Sequence, residues 1–324
     1  MCGLFGFLDV KHSLTQKQLN RLALTLGAAS EVRGTDATGV AYNTGGVLKI
    51  TKRACRARRL RFHLPMDTRV LMGHIRMTTQ GSEKDNRNNH PFVGTAGSTR
   101  FALAHNGVIW NDQELHKSEK LPNTPVQTDS YVAVQLLEQA KELSTNTIAA
   151  MAEKLEGTFS FTILDDAGSL YLVKGNSPLA VWCYDKLGLL CYASTEEILN
   201  AATKYSGFLG RPERKIVTKA GDILKIRPDG AITKAQFDTT NLDYFCKRQR
   251  QPFGWGSGWM YRGGGWYDDD WSAFDELLTV AGGLGVSPED VAALLDAGYC
   301  EEDVEELLDD PRQFRRILRA AYSV

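Results

Sequence analysis

Nowhere does the chain approach the run of about 18 consecutive apolar residues that a membrane-spanning helix requires, and its mean hydropathy is −0.28. That excludes a helical membrane protein. The opening residues MCGLFGFLDV carry no basic stretch and no small-residue cleavage site, so no secretory signal is expected. Cysteine is scarce and scattered, with six residues at positions 2, 55, 183, 191, 246 and 300 and no C-x-x-C pair. This spacing excludes a disulfide framework and a zinc-ligand pattern, and it fits reduced thiols in the cytoplasm. Neither a metal nor a cofactor is expected. A phosphate-cradling G-x-x-x-x-G-K-[ST] loop is also missing. Net charge is almost absent, at −1.

That near-zero charge is a sum of opposites. Residues 266–324 hold 15 acidic and 4 basic side chains, whereas residues 1–265 hold 24 acidic and 34 basic ones. Composition changes near residue 246, and the stretch FGWGSGWMYRGGGWYDDDW (253–271) carries four of the six tryptophans. The expected organisation is one domain over 2–245, a Trp/Gly-rich connecting segment over 246–271, and an acidic helical appendage over 272–324. Within the appendage, PEDVAALLDAG and EEDVEELLDDP share a pattern and read as two similar helices. Asp310-Pro311 should stop one helix and open the next. Such helices suit a basic partner protein, or the basic face of the first domain. The stretch KITKRACRARRLRF (49–62) has seven basic side chains. Solvated arginines on a helix-and-turn surface explain it better than a nucleic-acid site does.

Periodicity over the first 240 residues predicts a mixed domain of helices and mostly antiparallel strands. Residues 2–10 read as an apolar strand. A helix follows from Ser13, with leucines at 14, 19, 22 and 26 on one face. Strands are expected over 47–52, 69–75 and 101–105, the last ending at the turn signal His105-Asn106-Gly107. Thr128 should cap a helix running to about Leu143. Short strands then dominate (TFSFTIL, SLYLV, LAVWCY, LLCYAS), followed by a helix over 196–203 and strands near 215–218 and 222–226.

Cys2 carries the chemistry. With the initiator methionine removed, its thiol and a free α-amine share one carbon. A thiol is a good nucleophile near neutral pH, and an α-amine titrating near pH 8 is a fitting base. Four further segments accompany it: RGTDATGVA from Arg33, GHIRMTTQG over 73–81, AHNGVIWN over 104–111 and QTDSYV over 127–132. Together with MCGLFGF, this ordered set resembles the class II glutamine amidotransferase domain, an N-terminal-nucleophile (Ntn) hydrolase, over roughly residues 2–240. The resemblance implies an α+β fold, a four-layer αββα sandwich, to which this chain adds its small helical appendage.

The resemblance also implies roles. Cys2 would attack the side-chain amide of L-glutamine, with Asn106 and Gly107 as oxyanion donors. Arg76 would bind the α-carboxylate, Asp129 the α-ammonium, and Thr79 would line the pocket. His90 and Arg33 would support the site. On position alone, Asn106-Gly107 is also an ordinary hairpin pair, and Asp129 a first-turn helix carboxylate. In the amino-sugar branch an aromatic follows the motif arginine and a histidine follows the threonine; here they are Met77 and Gln80. Beyond residue 240 there is no room for an ammonia-consuming half and no SGGxDS-type loop, so a separate protein would accept the ammonia. Two other readings stay open: an Ntn-fold scaffold acting through its appendage, and an Ntn hydrolase of another amide. Arg76 with Asp129 speaks for a free amino acid.

Overall fold

Most strands of this chain are apolar on both faces, a composition that suits sheets covered on each side. A computed structural model describes residues 2–242 and, beyond them, isolated positions between Ala281 and Leu308 and the helix Pro311–Ala321. The chain divides into two compact units, Met1–Phe253 and Gly254–Val324. The Trp/Gly-rich segment, Cys246, Cys300 and most of the acidic appendage lie outside the described residues.

The first unit opens with β1 (Gly3–Asp9), α1 (Gln16–Ala29), β2 (Ala37–Thr44), β3 (Val47–Arg53) and β4 (Val70–Arg76). Next come β5 (Phe92–Ala96), β6 (Thr99–Ile109), α2 (Asp112–Ser118), α3 (Tyr131–Ala140) and α4 (Thr145–Lys154). Then follow β7 (Gly157–Asp165), β8 (Leu170–Lys174), β9 (Ala180–Tyr184), β10 (Leu189–Ala193) and α5 (Glu196–Ser206). The unit closes with β11 (Arg214–Ile216), β12 (Asp222–Ile226) and β13 (Ile232–Gln236). Two antiparallel sheets result. One has the order β11-β9-β10-β1-β4-β2-β3, the other β13-β12-β8-β7-β6-β5.

Alternation along each strand builds three apolar layers. Phe5 and Phe7 of β1 pack with Leu19, Leu22 and Leu26 of α1 and Ile198 and Leu199 of α5. Phe101, Leu103, Phe159 and Phe161 of the other sheet pack against α3 and α4 through Val134, Leu137, Ile148 and Met151. Between the sheets lie Leu4, Leu8, Met72, Ala102, Ala104, Leu172 and Tyr192. This is the four-layer αββα sandwich expected. Among the described residues no helix is long and apolar enough to cross a membrane.

Several local expectations need correction. Helix α1 starts at Gln16, not Ser13, because Thr15 and Gln18 form a reciprocal cap while Ser13 bonds Asp9 through its N–H and hydroxyl. Thr128 does not cap α3. That helix begins at Tyr131 after Ser130, and the Thr128 hydroxyl is buried without a partner. The expected turn at Asn106-Gly107 is instead strand, since β6 runs on to Ile109. Gly107 holds a φ of 136°, and a Cβ there would stand 2.0 Å from the Thr158 carbonyl oxygen. The glycine serves close strand approach rather than chain reversal. The basic stretch 49–62 forms edge strand β3 and a short 3-10 turn, Ala57–Arg59, rather than helix. In the second unit, α6 (Pro311–Ala321) starts at the proline. There Val291, Leu294, Val304, Leu307 and Phe314 form a small apolar cluster.

Candidate active site

Strand parity gathers the site. On β1 the even positions Leu4 and Leu8 face the space between the sheets, and Cys2 has the same parity at the head of this central strand. On the adjoining β4, Gly3 pairs with Ile75, which sets Arg76 beside Cys2. Across the layer, Asn106 shares its face of β6 with Ala102 and Ala104. One end of the inter-sheet layer thus collects a thiol, a guanidinium and an amide.

Cys2 is partly buried, and its Sγ lies 3.5 Å from the Met77 carbonyl oxygen. Its own carbonyl accepts from Arg33 Nε at 2.8 Å, which anchors the residue from the 3-10 turn Ser30–Arg33 that follows α1. Burial pushes the Cys2 thiol above its ordinary value, while the Met77 backbone and the Arg76 charge pull it down. The group is therefore a thiol at neutral pH and needs a base. Arg76 is buried; Nη1 donates to Asn89 Oδ1 at 2.7 Å, and Nη2 donates to the carbonyls of Gln80 and, at 2.9 Å, Gly81. The chain's own acceptors thus occupy the guanidinium fork. Asp129 is buried just before α3; Oδ2 accepts from Ile109 N–H at 2.6 Å, and Oδ1 accepts from the Ser130 hydroxyl at 3.3 Å. Its charge acts on both Cys2 and Arg76. Asn106 is fully buried with Nδ2 3.5 Å from Ser194 Oγ, and its Oδ1 has no partner.

The remaining expected residues are spread around this cluster. Thr79 is exposed on the segment after β4, whereas its neighbour Thr78 donates its N–H to Asp36 Oδ2 at 2.8 Å. Met77 is half exposed. His90 is buried between His74 and Phe92, with ring centroids 4.2 and 4.3 Å away, and both its ring nitrogens lack partners. Lys52 holds this segment by donating to the carbonyls of Asn89 and Pro91, and burial lowers its pKa to about 8. A cavity of about 400 Å³ adjoins the site, lined by Asp129, Gln80, Gln127, Asp112 and His116, without Cys2 or Arg76.

Sequence reasoning missed Asn89, Ser194, His105 and Asp36. His105 Nδ1 lies 2.7 Å from Ser130 Oγ, tying the start of α3 to β6. Of these, His105 and Asp36 lie inside the motifs AHNGVIWN and RGTDATGVA, and Asn89 belongs to a pair of amides ahead of an apolar strand.

Three buried histidines make the domain acid-sensitive. Burial lowers His74 to about 3 and His90 well below its ordinary value. It lowers His105 too, against the opposing pull of Asp129. An unfolded histidine protonates near pH 6.5, so below that value the unfolded chain binds protons that the folded one refuses. Stability is then full above about pH 6.5 and falls as pH drops toward the folded values, by up to about 1.4 kcal/mol per pH unit for each group. Urea unfolding should show a clearly lower midpoint at about pH 5.5 than at about pH 7. Equal midpoints would mean that the three rings accept protons in place.

Two covered sheets with a cysteine heading the central strand define the N-terminal-nucleophile sandwich. A family model described as a glutamine amidotransferase domain matches residues 74–201. The isomerizing glutamine–fructose-6-phosphate aminotransferase of Lactococcus lactis is 29% identical over 257 residues, covering 75% of this chain and 40% of that protein. Its Staphylococcus epidermidis counterpart is 33% identical over 256 residues, with the same shares. The chain spans about 40% of the length of these curated relatives. Among solved structures, glutamine phosphoribosylpyrophosphate amidotransferase from B. subtilis, complexed with ADP and GMP, has a TM-score of 0.58 at 17% identity. That match covers 74% of this chain and 50% of the other, and it shows the fold. The chain carries a class II glutamine amidotransferase domain.

Proposed function

We propose that the domain hydrolyses L-glutamine to glutamate and ammonia through a thioester on Cys2, and that the ammonia passes to an acceptor enzyme on another chain. The observation carrying this reading is the convergence of Cys2, Arg76 and Asn106 at one end of the inter-sheet layer, with Asp129 acting on the first two.

With Met1 removed, the Cys2 α-amine takes the thiol proton as Sγ bonds to the glutamine side-chain carbonyl carbon. The oxygen becomes an anion held by the Asn106 amide and the Gly107 N–H. Collapse of this intermediate breaks the C–N bond, the amine returns the proton to the leaving nitrogen, and ammonia departs. Water then adds to the thioester, giving up a proton to the amine, and a second tetrahedral intermediate releases glutamate and the thiol. Arg76 receives the α-carboxylate and Asp129 the α-ammonium, so the clamp selects a free amino acid. Binding requires the Gln80 and Gly81 carbonyls to give up Arg76 Nη2. Arg33 holds the Cys2 backbone, while Thr79 lines the pocket.

A glutamine-shaped diazoketone should label Cys2 alone, at one equivalent per chain, and glutamine should protect against it. Labelling unaffected by glutamine, or no glutamate release with and without candidate acceptors, would refute the reading. An Ntn hydrolase of another amide would instead turn over amides lacking the α-carboxylate equally well. The acidic appendage is read as a docking element for a basic protein; deleting 247–324 should abolish such an association and leave glutamate release intact.

A further inference from the structure

We propose that Ser194 is a positioning residue that fixes which end of the Asn106 amide faces the reacting carbonyl; the inference rests on the glutaminase reading. Ser194 extends the ladder between β1 and β10. Its N–H donates to the Leu4 carbonyl at 2.9 Å, and its Oγ accepts the Leu4 N–H at 2.8 Å. Leu4 stands two residues beyond Cys2, so the serine is tied to the nucleophile's own strand. The same Oγ lies 3.5 Å from Asn106 Nδ2. Both side chains are fully buried.

Two faults mark the amide in this orientation. Asn106 Oδ1 is buried with no partner, and Ser194 Oγ accepts twice while its own proton finds no acceptor among the described residues. A hydroxyl has one proton to give and two lone pairs to receive. Turning the amide by half a revolution exchanges two atoms of nearly equal size and leaves the packing unchanged. Ser194 then donates to Oδ1 while still receiving Leu4 N–H. The polar group left unspent is now Nδ2, a buried donor. Burial makes an unspent donor costly, and a negatively charged substrate oxygen relieves that cost. In this orientation the amide is a donor set in place before charge develops, which is what an oxyanion site requires. In the opposite orientation an oxygen would face the oxyanion and repel it.

Neutron diffraction from deuterium-exchanged wild-type protein separates Nδ2 from Oδ1 directly. The expected map has Oδ1 on Ser194 with the hydroxyl deuterium between them; Nδ2 on Ser194 overturns the proposal whatever the activity. In turnover, Ser194→Ala should lower kcat about tenfold with KM changed less than about twofold. Asn106→Ala should lower kcat about 10²–10³-fold. Adding Ser194→Ala to Asn106→Ala should cost nothing further, because the serine acts only through the amide. Additive losses would mean a merely structural serine and overturn the proposal. If Ser194→Ala does not fold, the wild-type neutron map still decides. Oδ1 on Ser194 in a wild-type protein that releases no glutamate would refute the glutaminase reading and leave the Ser194 assignment standing.

Discussion

Replacing Cys2 by alanine should reduce glutamate release by at least about 10³-fold, to the background of uncatalysed hydrolysis. The fold should not register the change, because the partly buried thiol's one side-chain hydrogen bond, to the Met77 carbonyl, is 3.5 Å long. Unfolding midpoints of the two proteins should therefore coincide. A protein that retains Met1, or carries a short tag ahead of Cys2, should be almost as inactive, since its thiol is intact but the neighbouring amine is locked in a peptide bond. Burial, which raises the thiol's pKa, makes that amine necessary. Full activity in the tagged protein would show that the base lies elsewhere.

Exchanging Arg76 for lysine should cost about 10²–10³-fold in kcat/KM, carried mainly by KM. A lysine keeps the charge but loses the planar fork that meets a carboxylate with two parallel bonds, and each bond to a charged group contributes about 1.5–3 kcal/mol. A second readout isolates the carboxylate. Wild-type protein should strongly prefer glutamine to the analogue lacking its α-carboxylate, whereas Arg76→Lys should lose most of that preference. Undiminished preference in the variant would place carboxylate recognition on another residue. Because Arg76 also holds Asn89 and the Gln80 and Gly81 carbonyls, the comparison should be made between two substrates on one variant.

The layered architecture was legible wherever burial is periodic. Runs such as TFSFTIL and LLCYAS are buried at nearly every position because both faces are covered, and they emerge as β7 and β10. Less regular elements escaped. Helix α4 buries only Ile148, Met151 and Ala152, and its clearest sign was the reciprocal cap between Ser144 and Thr147. Strand β5, with a glycine at its centre, buries alternate positions over five residues. At the site, Cys2 was legible as a candidate by its own chemistry, and Arg76, Asn106 and Asp129 were legible as candidates through the ordered motifs that hold them. Asn89 and Ser194 were not, since their contribution is to hold another side chain. A common amide and a common hydroxyl acquire that meaning only when the fold brings them within reach.

Gly107 bears on how this domain would age under relaxed selection. The Thr158 carbonyl stands where its Cβ would go, so every other residue is barred on grounds of space and backbone conformation alone. A descendant that abandoned glutamine chemistry, yet still had to fold, would keep this glycine. Cys2 is under no such packing constraint and would be free to drift. In a lineage of such chains, persistence of Gly107 would testify to the sandwich, and only the fate of Cys2 would testify to the reaction.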